Sequence, residues 1–368
     1  KRVLHVMGSL HLSGMETMLL SSYKEWQRIG YECDVIATAA SEGPAATKIR
    51  ECGYSVFHYS FRSRMRYLPS GKFISNFFLL CRSGYDVVHI HTEAGRLVFA
   101  VLAKLAGVKT IAVTPHNVFR FGGLLRMRKL CERQLIRLLG GRFGMISESV
   151  RECEWSQFRI KGIRVWNWLN TSHFSPPSLE ERNAVRTSLG IKNNQFVVVS
   201  VGNCSKVKNH EALLRAIAML PNETQALYLH IGREEEDRRE RALAAELGME
   251  DKVHFLGSQS DPLPFLWAAD VFAMPSLYEG LGISAIEAVA AGVPLICTHV
   301  DGLSDVAAET NWTIITTTAP ESIACALRLV SDMHPSERRN RALSDSERIR
   351  ERFSMERGVN SVVNALYV

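Results

Sequence analysis

The stretch EGLGISAIEAVAAGVPLI occupies residues 279–296 and places a Gly-x-Gly between a strand pattern and a helix pattern. A buried-type strand at residues 271–274 precedes it, and a turn at residues 275–278 connects the two. The apolar spacing after Glu279 is helical, and that helix carries Glu287. A glycine-rich turn that opens a helix directs backbone amides and the positive end of the helix dipole at one small volume. The stretch therefore predicts a phosphate site in a strand–turn–helix unit of an α/β fold.

The two glutamates at either end of this motif add a second kind of recognition. Glu279 and Glu287 can accept hydrogen bonds from hydroxyl groups beside the bound phosphate. A phosphate with neighbouring hydroxyls describes a nucleotide sugar. The alternative is an ordinary turn of a doubly wound fold, with Glu279 at a helix start and Glu287 on a half-exposed helix, because Gly-x-Gly alone is weak evidence.

Length and composition limit the class of protein. A chain of 368 residues, 46% hydrophobic, suits two domains of about 150 to 200 residues. No apolar run approaches the roughly 20 residues that span a bilayer, and the first residues already form a strand pattern where a signal peptide would lie. The eight cysteines are scattered without a Cys-x-x-Cys pair. We expect free, mostly buried thiols in a cytoplasmic protein.

Charge is distributed unevenly along the chain. Residues 1–165 contain 25 Lys and Arg against 12 Asp and Glu, whereas the remaining residues contain 19 against 26. The net charge of +6 thus combines +13 in the first part with −7 in the second. The basic part predicts contact with something anionic. No helix-turn-helix, zinc-finger or RNA-binding motif accompanies the charge, so we expect no nucleic acid partner.

Strand and helix patterns alternate along the whole sequence, which predicts α/β domains with parallel sheets. We expect two Rossmann-like, doubly wound domains that face each other across a cleft: residues 1–169 with 351–368, and residues 170–350. The predicted strands are 3–7, 33–38, 55–58, 87–91, 110–114, 143–147, 164–166, 196–202, 227–231, 253–256, 271–274, 294–297 and 313–316. Ligands of such domains gather at the carboxyl ends of the strands.

Three further strand ends carry candidate binding residues. The loop that ends at Gly14 lets backbone approach a ligand, although a plain strand-to-helix turn is the favoured interpretation there. His91 and His116 each lie at a strand end, where a histidine is more often a satisfied core group than a ligand, but His116 could donate to a sugar hydroxyl or phosphate oxygen. The loop at residues 202–210 offers Lys206 and Lys208 to a diphosphate.

Other chemistries lack their motifs. The sequence has no His-Glu-x-x-His, no cysteine cluster and no Asp-x-Asp at a strand end, so we expect no metal. It also has no P-loop and no Gly-x-Ser-x-Gly elbow. The two acids at Asp301 and Asp305 are expected in a structural turn.

Taken in order, these stretches resemble the retaining glycosyltransferases of the GT-B fold, specifically family 4, almost from end to end. The motif at 279–294, with its Ala-x-x-x-Gly-x-Pro extension, is the most specific. The other matching segments are Gly14–Glu16, Asp86–His91, Thr114–His116, Ser147, Trp166–Pro176, Gly202–His210, Val253–Gly257, Ala269–Val271 and Pro275-Ser276.

The resemblance implies a role for each candidate residue. Glu287 would hold the ribose hydroxyls, Lys208 would neutralise the diphosphate, and Glu279 would contact the sugar. His116 and the Gly14 loop would close over the sugar from the N-terminal domain. The implied catalytic residues are Glu279, His116 and Lys208, and the implied nucleotide-sugar ligands are Gly14, Asn203, Lys206, Lys208, Gly280, Leu281, Gly282, Ile283 and Glu287.

The implied reaction is metal-independent and needs no cofactor. A hexose or N-acetylhexosamine would move, with retention, from a nucleotide sugar to a glycan or lipid-linked saccharide of a cell-surface polysaccharide. Uridine is expected from family frequency alone. Asn203 stands where the family usually has Arg, and Ser13 where it has a second Gly. The alternatives are a nucleotide-sugar-binding protein without turnover and an epimerase of similar architecture.

The basic first part contains two candidate contacts for acceptor or membrane. Residues 62–67 and 72–78 combine cations with aromatic side chains. Residues 123–142 predict a helix with leucines beside Arg and Lys, which suits the cytoplasmic face of an anionic inner membrane. The equal alternative is a helix that packs its leucines in the core and leaves a solvated basic face.

Overall fold

A computed structural model describes residues 1–11, 14–61 and 69–368 of the chain. These residues form two compact units, residues 1–170 with 353–368, and residues 171–352. The sequence predicted the breaks after residues 169 and 350, one and two residues earlier. Ser13 and the basic segment 62–67 lie outside the described residues. All eight cysteines are free, and five of them are buried.

The first unit is built on a seven-stranded, parallel sheet of order β3-β2-β1-β4-β5-β6-β7. Its strands are β1 (Arg2–Met7), β2 (Glu32–Ala37), β3 (Val56–His58), β4 (Val87–Ile90), β5 (Thr110–Val113), β6 (Arg142–Met145) and β7 (Ile163–Arg164). Its helices are α1 (Gly14–Arg28), α2 (Ala46–Glu51), α3 (Gly71–Arg82), α4 (Arg96–Leu105), α5 (Gly123–Leu138), α6 (Glu148–Phe158) and, near the C-terminus, α15 (Met355–Val362).

The strand order reverses between β1 and β4, and this reversal sorts the helices into two layers. Right-handed crossovers put the helices of the two directions on opposite faces of a sheet. Accordingly α1 packs against α2 and α15, whereas α3, α4, α5 and α6 pack against one another in sequence. The central strands are buried on both faces, which explains their continuous apolar runs.

The C-terminal segment completes the first unit. The Leu169 amide donates to the Phe353 carbonyl at 3.0 Å, and the chain then forms α15 and a π-helical turn at Val363–Tyr367. Gly358 of α15 lies so close to Trp168 that a Cβ would stand 2.7 Å from the indole ring. The Tyr367 hydroxyl reaches His89 of β4 at 2.7 Å. The last residues thus fill a core that the first 170 residues leave open.

Helix α5 is shorter than the helix predicted at residues 123–142 and differs from its core-packing interpretation. It ends at Leu138 because Gly140, with φ of 86°, terminates it, and Arg142 already belongs to β6. Its inward face carries Lys129 and Arg133, whereas Leu124 and Leu138 are 90% and 76% exposed. The expectation that leucines pack inward and cations face solvent is wrong for these residues.

Buried carboxylates explain this inversion. The Arg133 guanidinium donates to both Glu154 carboxylate oxygens at 2.7 and 2.9 Å, and to Glu93 at 3.1 and 3.2 Å. Lys129 Nζ lies 3.0 Å from the Glu93 carboxylate. Glu154 is 1% exposed, so these cations are needed inside to balance its charge.

The second unit contains a six-stranded, parallel sheet of order β10-β9-β8-β11-β12-β13. Its strands are β8 (Phe196–Val201), β9 (Ala226–Ile231), β10 (Val253–Phe255), β11 (Val271–Met274), β12 (Leu295–Thr298) and β13 (Ile314–Thr316). Its helices are α7 (Leu179–Ser188), α8 (His210–Ala218), α9 (Arg239–Glu246), α10 (Leu263–Ala268), α11 (Ile283–Ala290), α12 (Leu303–Ala307), α13 (Pro320–Asp332) and α14 (Pro335–Arg352).

The predicted strands are present in both units, with ends within two residues of those expected. The predicted turn at 301–305 is partly wrong, because Leu303 begins α12. As in the first unit, the strand order reverses once, here between β8 and β11. The doubly wound architecture with two parallel sheets is confirmed.

Asp270, at the amino end of β11, holds the second unit together at the edge opposite that reversal site. One carboxylate oxygen accepts from Arg182 at 2.9 Å and Arg338 at 3.3 Å, and the other from Arg186 at 3.1 Å and the Val197 amide at 2.9 Å. These donors come from α7, α14 and β8. A single buried carboxylate therefore fixes three elements around the sheet.

Replacing this carboxylate should lower the unfolding free energy of the second unit. Asp270→Asn leaves three guanidiniums, two of them buried, without their anion, a change that costs about 3 kcal/mol of unfolding free energy. Urea unfolding measures it, with Asp251→Asn on an exposed turn as the matched control. A loss no larger than that of the control would contradict the role of Asp270.

Candidate functional site

The loops that follow β8 and β11 meet at the carboxyl edge of the second sheet. They are neighbours because β8 and β11 pair directly, although nearly seventy residues separate them. The Leu277 amide donates to the Val207 carbonyl at 2.7 Å, and the Asn209 side chain donates to the Pro275 carbonyl at 3.1 Å. These bonds join the two loops into one surface.

An ion pair between the two loops is the centre of this surface. Lys208 Nζ lies 2.5 Å from Glu279 Oε1, and the Ser276 hydroxyl donates to the same oxygen at 2.9 Å. Both side chains are partly exposed, at 25% and 15%. The structure thus brings together two of the three predicted catalytic residues, with the positive charge still open to an anion.

Two glycines make this approach possible. A Cβ on Gly202, whose φ is 157°, would stand 3.2 Å from Lys208 Cε, so the absence of a side chain lets the lysine cross the loop. Gly282 precedes α11 with φ of 71°, and a Cβ there would lie 2.6 Å from Leu303. Only glycine adopts that conformation without strain. The backbone conformation before α11 therefore accounts for the second glycine of the Gly-x-Gly motif.

The start of α11 supplies the predicted amides. Gly280 and Leu281 are buried in the turn before Gly282, and Ile283 is the first residue of the helix. The first four N–H groups of an α-helix have no intrahelical acceptor. Together with the positive end of the helix dipole they suit an anion.

Glu287 lies one turn further along α11 and is nine-tenths buried. Burial, reinforced by the negative charge of Asp261, raises the pKa of its carboxyl to about 8. Hydrogen bonds contribute nothing to this shift. The expectation of a half-exposed surface glutamate is wrong. A buried carboxyl without compensating donors is costly in a merely structural role, which favours a ligand-binding role.

Asn203 and Lys206 lie on the exposed side of the β8 loop. The Asn203 side-chain oxygen accepts from the Arg233 amide at 2.9 Å, which ties this loop to the one after β9. At the position where the family usually has an arginine, this chain has Asn203, which connects two loops; its role as a nucleotide-sugar ligand stays a prediction. The contribution of Lys206 to binding stays a prediction.

His116 and Gly14 belong to the first unit. His116 follows β5 and is half-buried, and Gly14 is the first residue of α1. His116 Nε2 lies 2.9 Å from His91 Nδ1, and burial lowers the pKa of His116 to about 4. That these residues face Glu279 across a cleft stays a prediction.

Three histidines of the first unit have the spacing of a metal site. Ring nitrogens of His5, His89 and His91 lie within 4.8 Å of one another. Five of the six nitrogens already have hydrogen-bond partners: His5 with His91, His91 with His116, and His89 with Tyr367 and Thr114. A metal ion would have to break these bonds, so the cluster is better described as a hydrogen-bonded group.

Sequence reasoning missed Ser276 and His5 and undervalued His91. Ser276 precedes Glu279 by three residues, a turn spacing that could have suggested the hydrogen bond between them. His5 and His89 occupy paired positions of β1 and β4. Histidines at paired positions of two neighbouring parallel strands were the available signal for His5.

The raised pKa of Glu287 has a consequence for stability. Between pH 4.5 and 8 the folded protein holds a proton that the unfolded chain releases, so this group lowers the unfolding free energy as pH rises. Glu287→Gln removes that penalty. We expect the variant to gain about 4 to 5 kcal/mol over the native protein at pH 8.5 and little at pH 4.5.

Urea unfolding at pH 4.5, 6.5 and 8.5 checks this expectation. Glu246→Gln, on the exposed side of α9, is the control for loss of a glutamate from a helix. A difference between Glu287→Gln and the native protein that does not change with pH would show that Glu287 ionises as freely as a surface glutamate.

Comparison with known proteins identifies the family. The model of Glycosyltransferase Family 4 matches residues 12–202, and that of glycosyl transferases group 1 matches residues 181–346. The EpsF protein of Bacillus subtilis is 28% identical over 322 residues, which cover 80% of this chain and 78% of EpsF. A UDP-Gal:alpha-D-GlcNAc-diphosphoundecaprenol alpha-1,3-galactosyltransferase of Escherichia coli is 21% identical over 313 residues, covering 82% of this chain and 80% of its own length.

Solved structures agree on the fold. The Anabaena protein Alr3699/HepE, crystallised in complex with UDP and glucose, superposes with a TM-score of 0.81 at 17% sequence identity. The match covers 99% of each chain. The expected GT-B architecture is therefore confirmed, and the chain belongs to Glycosyltransferase Family 4 and is a glycosyltransferase.

Proposed function

We propose that the enzyme transfers a hexose or N-acetylhexosamine, with retention and without a metal, from a UDP-sugar to a glycan or lipid-linked saccharide. The observation that carries the proposal is the Lys208–Glu279 ion pair, which lies beside the start of α11 at the reversal of strand order. This position is where a doubly wound sheet binds nucleotides. The reaction would take place in the cytoplasm, during synthesis of a cell-surface polysaccharide.

The donor diphosphate is assigned to Lys208 and the α11 amides. A diphosphate oxygen would compete with Glu279 for the lysine, since both are anionic. Its arrival would release the Glu279 carboxylate to accept hydrogen bonds from the sugar hydroxyls. The amides of Gly280, Leu281, Gly282 and Ile283 would take the remaining phosphate oxygens and the sugar. The ion pair thus has two states. Without a donor, Lys208 binds Glu279; with a donor bound, Lys208 contacts the diphosphate and Glu279 contacts the sugar.

Glu287 is assigned to the ribose. Its carboxyl is nine-tenths buried yet accepts no hydrogen bond that lowers its pKa. Two adjacent ribose hydroxyls supply the donors it lacks and favour the ionised form. Binding of the nucleotide sugar should therefore be accompanied by release of the Glu287 proton near pH 7.

Positive charge at the diphosphate accounts for the acceleration. Negative charge builds on the leaving group in the transition state, where Lys208 and the α11 dipole stabilise it more than in the ground state. The departing diphosphate would accept the acceptor proton on the same face of the sugar, which gives retention. His116 and the Gly14 loop are assigned to the sugar from the first unit.

The named relatives support the donor and acceptor classes. HepE was crystallised with UDP and glucose, and the Escherichia coli relative is named for a UDP-sugar donor and a diphosphoundecaprenol-linked acceptor. These are properties of those proteins, and they favour the same classes for this chain.

Removing either member of the ion pair should abolish most turnover. Lys208→Met and Glu279→Gln should each lower kcat by about 10² to 10³, the usual loss when one electrostatic contact to a transition state is deleted. Release of UDP from a panel of UDP-sugars, with and without EDTA, measures this. Lys192→Met, an exposed lysine near the amino end of β8, is the matched control.

The products separate the alternatives. A glycoside with the donor's anomeric configuration, formed equally with EDTA, supports the proposal. Tight UDP-sugar binding without turnover on any acceptor would favour a binding protein. A new nucleotide sugar without a glycoside would favour an epimerase.

We further propose that the enzyme works on the surface of an anionic membrane. Among the described residues no helix is long and apolar enough to cross a bilayer. The layer α3–α6, however, exposes large apolar side chains, namely Leu79, Leu105, Leu124, Met127, Leu135, Leu138 and Trp155. Exposed cations lie on the same helices and in the turns that follow them, namely Lys72, Lys104, Lys109, Arg128, Arg137, Arg159 and Lys161. Apolar and basic side chains together suit an anionic lipid surface.

Liposome flotation tests the membrane contact. The Leu124→Glu, Leu138→Glu double variant should bind phosphatidylglycerol vesicles at least about tenfold more weakly at physiological salt, because each exposed leucine contributes about 1.5 kcal/mol on burial. Turnover on a soluble acceptor should stay unchanged. Leu179→Glu, at an exposed leucine of α7 in the second unit, is the control. Native binding no stronger than to neutral vesicles would rule out this surface.

A further inference from the structure

Three imidazoles of the first unit form a continuous hydrogen-bonded chain. His5 Nδ1 lies 3.0 Å from His91 Nε2, and His91 Nδ1 lies 2.9 Å from His116 Nε2. The rings of each successive pair are 5.2 Å apart. His5 comes from β1, His91 from the end of β4 and His116 from the end of β5, so the chain runs across three neighbouring strands.

Each ring of this chain carries one proton near neutral pH. Burial lowers the pKa of His5 and of His116 to about 4, and it lowers the pKa of His91 well below its usual value. A neutral imidazole has one N–H donor and one nitrogen acceptor. The two hydrogen bonds must therefore point in the same direction, either from His5 towards His116 or the reverse.

The two ends of the chain decide the direction. His5 Nε2 is enclosed and has no hydrogen-bond partner among the described residues. It borders a cavity of about 30 Å³ whose other walls include Met18, Leu19 and Val165. Thr114 and Asn167 also border the cavity, but neither forms a hydrogen bond with Nε2, and the mainly apolar surface offers too few polar groups to hold a water there. His116 Nδ1, by contrast, is not among the enclosed atoms that lack a partner.

An enclosed N–H without an acceptor is rarer in proteins than an enclosed acceptor without a donor. His5 Nε2 is therefore unprotonated, and the His5 proton lies on Nδ1, which donates to His91. His91 then donates from Nδ1 to His116 Nε2. The His116 proton can only lie on Nδ1, the nitrogen at the open end of the chain.

We infer that His5 and His91 are positioning residues that fix His116 as the Nδ1–H tautomer, which makes it a hydrogen-bond donor to the substrate. The assignment of His116 to the sugar rests on the proposed function; its tautomer does not. A fixed donor can bind a hydroxyl or phosphate oxygen of the nucleotide sugar. It cannot serve as a general base, because its acceptor nitrogen is already occupied by His91.

Imidazole ¹⁵N resonances test the tautomer directly. Protein labelled with ¹⁵N-histidine is studied at pH 7.5 by long-range proton–nitrogen correlation, and the His116 signals are identified by their loss in His116→Gln. We expect the protonated-nitrogen shift at Nδ1 and the unprotonated shift at Nε2. The opposite pattern in the native protein would overturn the inference without any variant.

His91→Phe removes the donor that holds His116 Nε2. Its His116 signals should move towards the Nε2–H tautomer that free imidazole side chains prefer. His89→Phe is the matched control, because it makes the same change on the same strand outside the chain. An unchanged His116 tautomer in a folded His91→Phe protein, shown by its circular dichroism, would contradict a role for His91.

Two further measurements separate the remaining possibilities. One equivalent of Zn²⁺ should leave the spectrum unchanged; joint shifts of His5, His89 and His91 would show a metal site and overturn the relay. In the turnover assay His116→Asn, whose amide can reach the Nδ1 position, should retain at least about tenfold more activity than His116→Gln. Equal loss in both, with the expected tautomer, would refute the donor role of His116 while leaving the relay intact.

Discussion

Direct pairing of β8 with β11 is the constraint on which the donor site depends. Parallel strands bring their carboxyl ends to one edge, so the pairing places Lys208 and Glu279 at hydrogen-bond distance across 71 residues of sequence. The same pairing aims the start of α11 at the space beside them. Displacement of either strand would separate the cation, the carboxylate and the amides that the proposed chemistry needs together.

Two charged clusters of the second unit show how the same chemistry serves structure at one edge and function at the other. Asp270 accepts four hydrogen bonds from three arginines and a backbone amide, which leaves its oxygens no capacity for a ligand. Glu279 shares one oxygen between Lys208 and Ser276, and Glu287 has no donor that lowers its pKa. The structural carboxylate has all its acceptor positions filled, whereas the two carboxylates that we assign to ligand binding have unfilled ones.

Helix α5 shows where sequence reasoning fails. Its pattern of leucines and arginines predicts an apolar inward face, but two of its three buried residues are Lys129 and Arg133, beside Ile136. Their partners, Glu93 and Glu154, lie 40 and 21 residues from Arg133 in the chain. Periodicity in a sequence shows only which residues share a face of the helix. It does not show which face is buried, because a buried carboxylate on another element can draw the basic face inward. The leucines left outside are those on which the proposed membrane contact rests.

The sequence by itself determined the alternation of strands and helices, the two domains and the strand–turn–helix motif at residues 279–287, because these depend on local spacing and on where glycine is needed. Only the tertiary structure decided that Glu287 is buried with a raised pKa, that Asn203 fastens a loop, and that His5 and His91 reach His116. Burial and hydrogen-bond partners arise from residues far apart in the chain, and no local pattern encodes which strands will lie side by side.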